Sequence, residues 1–344
     1  MIVDAHAHVI PPEVTLDAAP TEAWRPRVRW QDGQQVVEVG DRQATAVAHE
    51  FVEIDGILAA QRTAGVDHVL LCPWVALLRY DTDPTEGVRS SSIYNDGLAR
   101  LAQAHPGRVS VLGTVPLQDP ELAARELQSL MQRPGIRGVE VATSVRGVYL
   151  GDDRFRPFWA AAEATGALVF IHPTQRGFDL PVFQDYFMWN SVGNPLETTV
   201  TTAHLIMAGI MEVHPRCKIL LAHAGGAILA LRGRLRYAHG HNPQAKSRLR
   251  EPVEDSLKRF YFDTIMYDAD LLRGLIAYAG ADHVLLGSDY PFDKNLKRSV
   301  ESVRNLALPA GDEARVLGGN AARLFGQNQH RPPHRPGGPA GVIY

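Results

Sequence analysis

Eight short runs of apolar and β-branched residues recur along a chain of 344 residues, and an amphipathic segment follows each of them. Three of those runs close on a histidine or an aspartate. The two observations together predict an α/β protein, a (β/α)8 TIM barrel with an insertion after strand 1. Continuous apolar runs without clean alternation are what strands buried on both faces require, as in a parallel sheet. The rival arrangement, a doubly wound open sheet, lacks its glycine fingerprint after the first strand.

In chain order the predicted strands are 2–9, 68–73, 108–115, 138–143, 168–173, 218–224, 259–265 and 283–289. The helical patterns between them fall at about 53–64, 92–104, 119–132, 154–165, 196–213, 226–239, 268–279 and 295–306. Several open on a capping residue and stop at glycine, as from Asp55 to Gly65 and from Asp268 to Gly280. A barrel needs roughly 250 residues, and two segments account for the excess. Residues 10–50 are an insertion holding a hairpin about Asp32-Gly33, expected to stand over the C-terminal face of the barrel as a lid. Residues 327–344 are rich in Pro, Gly, His and Arg and read as a flexible tail, which leaves 1–326 as one domain.

Composition narrows the chemistry. The chain is 45% hydrophobic and 21% charged, an ordinary globular balance. Its formal net charge of -3 is the opposite of a nucleic-acid footprint, so no nucleic acid is expected as a partner. No apolar run reaches the ~18 residues of a spanning helix, and the N-terminus has no signal-peptide pattern. The expected setting is cytoplasmic, without a membrane. Two cysteines, Cys72 and Cys217, cannot build a disulfide framework or a thiolate zinc site. A metal here has to be held by histidine nitrogen and carboxylate oxygen.

The first strand supplies such donors as Asp4-Ala5-His6-Ala7-His8. Alternate residues of a strand share a face, so Asp4, His6 and His8 are expected to point one way, with both imidazoles able to reach one ion. A lone histidine of this kind is more often a satisfied core residue. Three further strand ends shift the balance: His172, His223 and Asp289 each close an apolar run. In a barrel all strand C-termini open onto one face, so residues distant in sequence meet there. Burying four imidazoles and a carboxylate without a partner is costly, whereas a divalent cation satisfies them together.

These residues resemble the amidohydrolase superfamily. Asn194-Pro195-Leu196-Glu197-Thr198-Thr199, Ala222-His223-Ala224-Gly225-Gly226, Gly287-Ser288-Asp289-Tyr290-Pro291 and the closing Gly319-Asn320-Ala321-Ala322-Arg323-Leu324-Phe325 are similar to its amidohydrolase-2 branch. Aminocarboxymuconate-semialdehyde decarboxylase and the resorcylate- and carboxyvanillate-type decarboxylases typify that branch. The resemblance implies a carboxy-lyase with His6, His8, His172 and Asp289 as ligands of one divalent metal, Zn2+ first and Mn2+ second. It implies His223 as the acid/base, with Asp289 also serving catalysis. The bridging residue of binuclear relatives is missing: Glu140 lies inside strand four, not at its tip, which points to a single metal.

The implied reaction is nonoxidative decarboxylation of a small carboxylated aromatic or unsaturated acid, with metal-bound water and His223 carrying the proton. A bound divalent cation can lower the pKa of its water from ~15.7 toward ~7 in the best-known zinc case. A metal-dependent hydrolase or hydratase shares the ligand set and stands as the alternative. Arg232, Arg234, Arg236, Lys246, Arg248 and Arg250 form an acid-free basic run, most simply a solvated face. The match of Gly233-Arg234-Leu235 to the branch singles out Arg234 as a substrate-binding residue reaching the neighbouring site, and so implies a homodimer. The branch's second substrate arginine has no counterpart in residues 43–50, which argues against a dicarboxylated muconate substrate. Phe178, Phe183, Tyr186, Phe187 and Trp189 follow strand five as candidates to wall an aromatic ring, Phe187 and Trp189 foremost, or equally to form an interface.

Overall fold

The computed structural model describes residues 1–15, 22, 24–31, 34–39, 42–47, 49–174 and 177–326. The expectation for 327–344 and the turn pair Asp32-Gly33 lie outside the described residues. Eight parallel strands form one sheet in sequence order: β1 (Val3–Val9), β2 (His68–Pro73), β3 (Val109–Gly113), β4 (Ile136–Ala142), β5 (Leu168–His172), β6 (Lys218–Leu221), β7 (Tyr261–Asp263) and β8 (Val284–Leu285). The backbone beyond β8 closes the sheet on β1. Ala5 N–H donates to the Leu286 carbonyl at 2.8 Å, and His8 N–H to that of Tyr290 at 2.7 Å. The predicted (β/α)8 barrel is the observed fold.

Two apolar layers follow from the alternation of each strand. Inward residues Val3, Ala5, Leu70, Cys72, Leu112, Leu168, Phe170, Leu220 and Leu285 fill the barrel, joined by Ala321 and Phe325 of the C-terminal helical segment. Outward residues such as Val9, Val69, Val111, Val139, Val169 and Ile219 pack in the larger cluster shared with the surrounding helices. Helix starts use the anticipated caps in part. Asp268 accepts from Leu271 N–H and Gly280, at φ 90°, ends that helix. Helix Ile54–Thr63 instead begins at Glu53 without a side-chain cap, leaving Asp55 in its first turn. The segment expected at 92–104 is a longer helix, Pro84–Ala104, capped by Asp83 with proline at its first position.

The insertion holds a short helix, Pro12–Thr15, and an antiparallel meander of Arg27–Gln31, Gln34–Val39 and Arg42–Val47. Its first two strands pair from Arg27↔Glu38 to Gln31↔Gln34, which is the anticipated hairpin; the third strand was not anticipated. The insertion meets the loops after β2 and β8, on the C-terminal side of the barrel. Arg79 donates to the Trp24 carbonyl, Lys294 Nζ donates to Glu50 Oε1 at 2.5 Å, and Phe51, directly after the insertion, packs on Trp74 and Phe292 at 5.2 and 5.1 Å.

Candidate metal centre

His6 and His8 reach the barrel interior by a route the simple alternation misses. β1 carries a bulge between Asp4 and Ala7 in its pairing with β2. An extra residue in one strand breaks the period of two. Ala5 packs inside the barrel and Ala7 outside it. Asp4 therefore parts from the two histidines, against the expectation from spacing. It is buried, and accepts from Gln61 Nε2 of the outer helix at 2.7 Å and from Ser288 Oγ at 2.5 Å. Asp4 thus fixes the loop that carries Asp289 and does not join the histidine cluster.

Asp289 and His223 also sit beyond the strands they were expected to close. The β6 ladder ends at Leu221 and β8 at Leu285. His223 (φ 53°), Ala224 (φ 53°) and Asp289 (φ 60°) take left-handed backbone conformations, which strands cannot continue. Non-glycine residues pay ~1–3 kcal/mol for such geometry and keep it where surrounding bonds enforce it, commonly at functional sites.

His6, His8, His172 and Asp289 are all buried, each offering a donor atom within 4.8 Å of the others'. His6 Nε2 lies 3.1 Å from His8 Nε2, and Asp289 Oδ1 lies 3.3 and 3.2 Å from the two. Each imidazole is anchored through its other nitrogen: His6 Nδ1 on Asp263 Oδ2 (2.8 Å), His8 Nδ1 on the Pro73 carbonyl (2.9 Å) and His172 Nδ1 on the Pro173 carbonyl (2.9 Å). Acceptors at Nδ1 fix the tautomer and turn the Nε2 lone pairs inward. His172 Nε2 and Asp289 Oδ1 are buried with no hydrogen-bond partner. A buried orphan costs ~1–3 kcal/mol, and one divalent cation at the point of convergence removes several at once. Three nitrogens and one carboxylate oxygen suit such an ion.

Neighbouring charges and burial set the protonation of the cluster. Burial opposes charge on His6, yet Asp289 and Asp263 beside it outweigh burial and push its pKa to about 10. Burial lowers the pKa of His8. Burial and the neighbouring imidazoles take His172 well below the ordinary value. For Asp289 burial is opposed by the adjacent imidazoles, His6 first and then His223 and His8, and the carboxyl ends well below the usual range. The neighbouring carboxylates thus favour a proton on His6, while His8 and His172 favour the neutral form. That proton has to leave for His6 to ligate. Metal uptake should therefore release a proton from His6, and apparent affinity should fall as the pH is lowered, by up to ~10-fold per unit. Calorimetric metal titrations in buffers of differing ionisation enthalpy count that proton; a count of zero would show a neutral His6.

His223 stands beside the ligand set without belonging to it. Its Nε2 is 3.8 Å from Asp289 Oδ2, and its Nδ1 is buried without a hydrogen-bond partner. Asp263, at the tip of β7, had not been singled out, although a carboxylate closing an apolar run was the same signal that marked Asp289. Its Oδ2 accepts from His223 N–H at 2.9 Å as well as from His6, and its Oδ1 accepts from Ala224 and Ile265 N–H at 2.7 and 3.0 Å. Phe292 was missed too: its ring lies 5.6 Å from that of His8, at the mouth of the site. Phe187 is exposed and edge-on to Trp189 at 4.8 Å. Arg234 is exposed on helix Ile228–His241. Glu140 is buried in β4, its Oε1 3.9 Å from His8 Nδ1, so it touches the back of one ligand and is not itself among the four.

An eight-stranded barrel with three histidines and an aspartate converging at its C-terminal rim defines a metal-dependent barrel enzyme. The chain belongs to the amidohydrolase family, whose model Amidohydro_2 matches residues 3–327. It is 27% identical over 271 residues to 2-amino-3-carboxymuconate-6-semialdehyde decarboxylase of Dictyostelium discoideum, covering 77% of this chain and 74% of that one. It is 30% identical over 251 residues to 6-methylsalicylic acid decarboxylase of Penicillium expansum, covering 71% and 77%. The crystal structure of 5-carboxyvanillate decarboxylase from Sphingomonas paucimobilis superposes with a TM-score of 0.78 at 28% identity, covering 94% and 98%. These relatives place the chain among the carbon–carbon lyases of the family. Among the described residues no helix is long and apolar enough to cross a membrane.

Proposed function

We propose that the protein is a nonoxidative decarboxylase of a small carboxylated aromatic or unsaturated acid, with His223 carrying the proton. The observation that bears most weight is the unpaired convergence of His172 Nε2 and Asp289 Oδ1 beside His6 and His8, with His223 adjacent but outside the set. A divalent cation held by His6, His8, His172 and Asp289 supplies positive charge that orients substrate oxygens and offsets charge developing in the transition state. Zinc fits three nitrogens and a carboxylate, and manganese tolerates them; elemental analysis of purified protein decides. Protonated His223 gives its proton to the carbon bearing the carboxylate. The electrons of the breaking carbon–carbon bond then restore the unsaturation, CO2 leaves, and the imidazole regains a proton from solvent.

Phe292, its ring 5.6 Å from that of His8, is read as facing the substrate ring, with Phe187 and Trp189 of the β5 loop as further candidates. Arg234 is read as the cation for the substrate carboxylate, supplied to the neighbouring subunit of a homodimer. The face of helix Ile228–His241 beside it, where Leu231 and Tyr237 are exposed, supports an interface there. Sedimentation in solution tests the dimer; a monomer at micromolar concentration removes this role for Arg234. The function itself is tested by incubating metal-loaded protein with 6-methylsalicylate, 2,6-dihydroxybenzoate and 5-carboxyvanillate and following CO2. Turnover should fall at least ~100-fold on chelation and return with metal. Water-oxygen incorporation without CO2 would favour the hydrolase or hydratase instead.

A further inference from the structure

Helix Asn194–Met207 gives no side chain to the ligand set, yet it grips the segments that follow β4, β5 and β6. Glu197, 1% exposed in its first turn, does most of this. Its Oε2 accepts from Thr143 Oγ1 at 3.2 Å, just past β4, and from Thr174 N–H at 3.1 Å, two residues past His172. Its Oε1 accepts from Gly177 and Phe178 N–H at 2.7 and 3.3 Å. Two residues later, Thr199 Oγ1 accepts from Ala227 N–H at 2.8 Å in the loop after His223. The contact there is close: a Cβ on Gly226 would stand 2.0 Å from the Pro195 carbonyl oxygen.

The segment held by Glu197 is one that needs holding. Phe178 (φ 60°) and Asp179 (φ 57°) are consecutive non-glycine residues in the left-handed region. Four donors converge on one side chain, and a carboxylate is the group that accepts throughout and donates nothing.

We propose that Glu197 is a positioning residue of the active site. Its carboxylate sets where the wall after β5 stands relative to the metal centre, and so how the substrate ring lies against it. The proposal rests on the decarboxylase reading of the site. His172 keeps its own anchor on the Pro173 carbonyl, so the metal should remain when Glu197 is changed. Glutamine keeps the shape but turns an amide NH2 toward one pair of donors, for which only the Thr143 hydroxyl can reverse its role.

The experiment compares Glu197→Gln and Glu197→Ala in the metal-loaded full chain. We expect full metal content, kcat within ~3-fold of the parent, and KM raised ~10-fold by glutamine and more by alanine, as misplaced substrate implies. Amide exchange at Thr174, Gly177 and Phe178 should quicken in step. Unchanged KM with faster exchange would reduce Glu197 to a structural anchor, and loss of metal in Glu197→Gln would place its effect on the ligands; either overturns the proposal. Should alanine prevent folding, the glutamine variant decides. If the parent releases no CO2, the decarboxylase reading fails by itself. The Kd of salicylate for the metal-loaded protein, expected to weaken by the same factor, then decides the role of Glu197.

Discussion

Replacing His223 by alanine should slow CO2 release by ~10²–10⁴-fold, the usual worth of a positioned proton donor, and leave the metal in place. The two effects separate because of how the residue is held. Asp263 grips His223 through its backbone N–H, not its ring, so alanine keeps that bond and the left-handed turn at φ 53°. The ring contributes none of the four converging donor atoms. Its contact with the centre is Nε2 at 3.8 Å from Asp289 Oδ2. Elemental analysis together with CO2 release on the same preparation makes the check. Alanine protein with full metal and turnover within ~3-fold of the parent would remove the proton from His223.

The barrel was legible because its strands are buried on both faces and show as uninterrupted apolar runs, with the second run observed at the residues predicted, His68–Pro73. Of the converging residues, His172 and Asp289 were legible because an apolar run gives out at them, and His6 and His8 because they repeat at alternate positions of the first. What stayed hidden depends on neighbours in space. The bulge that parts Asp4 from His6 is a matter of pairing with β2, which no property of residues 4 to 7 states. The left-handed backbone at His223 and Asp289, whose N–H groups donate to the Asp263 carboxylate and the His6 carbonyl, is likewise set by neighbours in space. Glu197 stood in a branch-like motif with no role attached, and its four partners come from segments up to 54 positions away. Side-chain identity marks the groups that converge at the barrel mouth; the residues that aim them reveal themselves only when the chain is closed.

Asp263→Asn should weaken the metal centre and the proton donor together. An asparagine matches the shape of the carboxylate but must present an NH2 at one of its two positions. Oδ2 faces His6 Nδ1–H and His223 N–H, and Oδ1 faces the N–H groups of Ala224 and Ile265, so the NH2 meets donors on either side. If it faces His6, the imidazole loses the bond that fixes its tautomer, and its Nε2 lone pair is no longer committed to the metal. Loss of such an outer partner typically costs ~10–100-fold in metal affinity, read by competition against a chromophoric chelator. Supplying excess metal should then recover only part of the turnover, because the turn at His223 and Ala224 has lost its anchor. The remaining deficit acts through His223, so adding His223→Ala to Asp263→Asn should slow the metal-saturated protein by less than the product of the single effects. A metal affinity equal to that of the parent would show that His6 is oriented without Asp263. Fully multiplicative rates would separate Asp263 from the proton donor, and leave its bonds to that turn without a catalytic consequence.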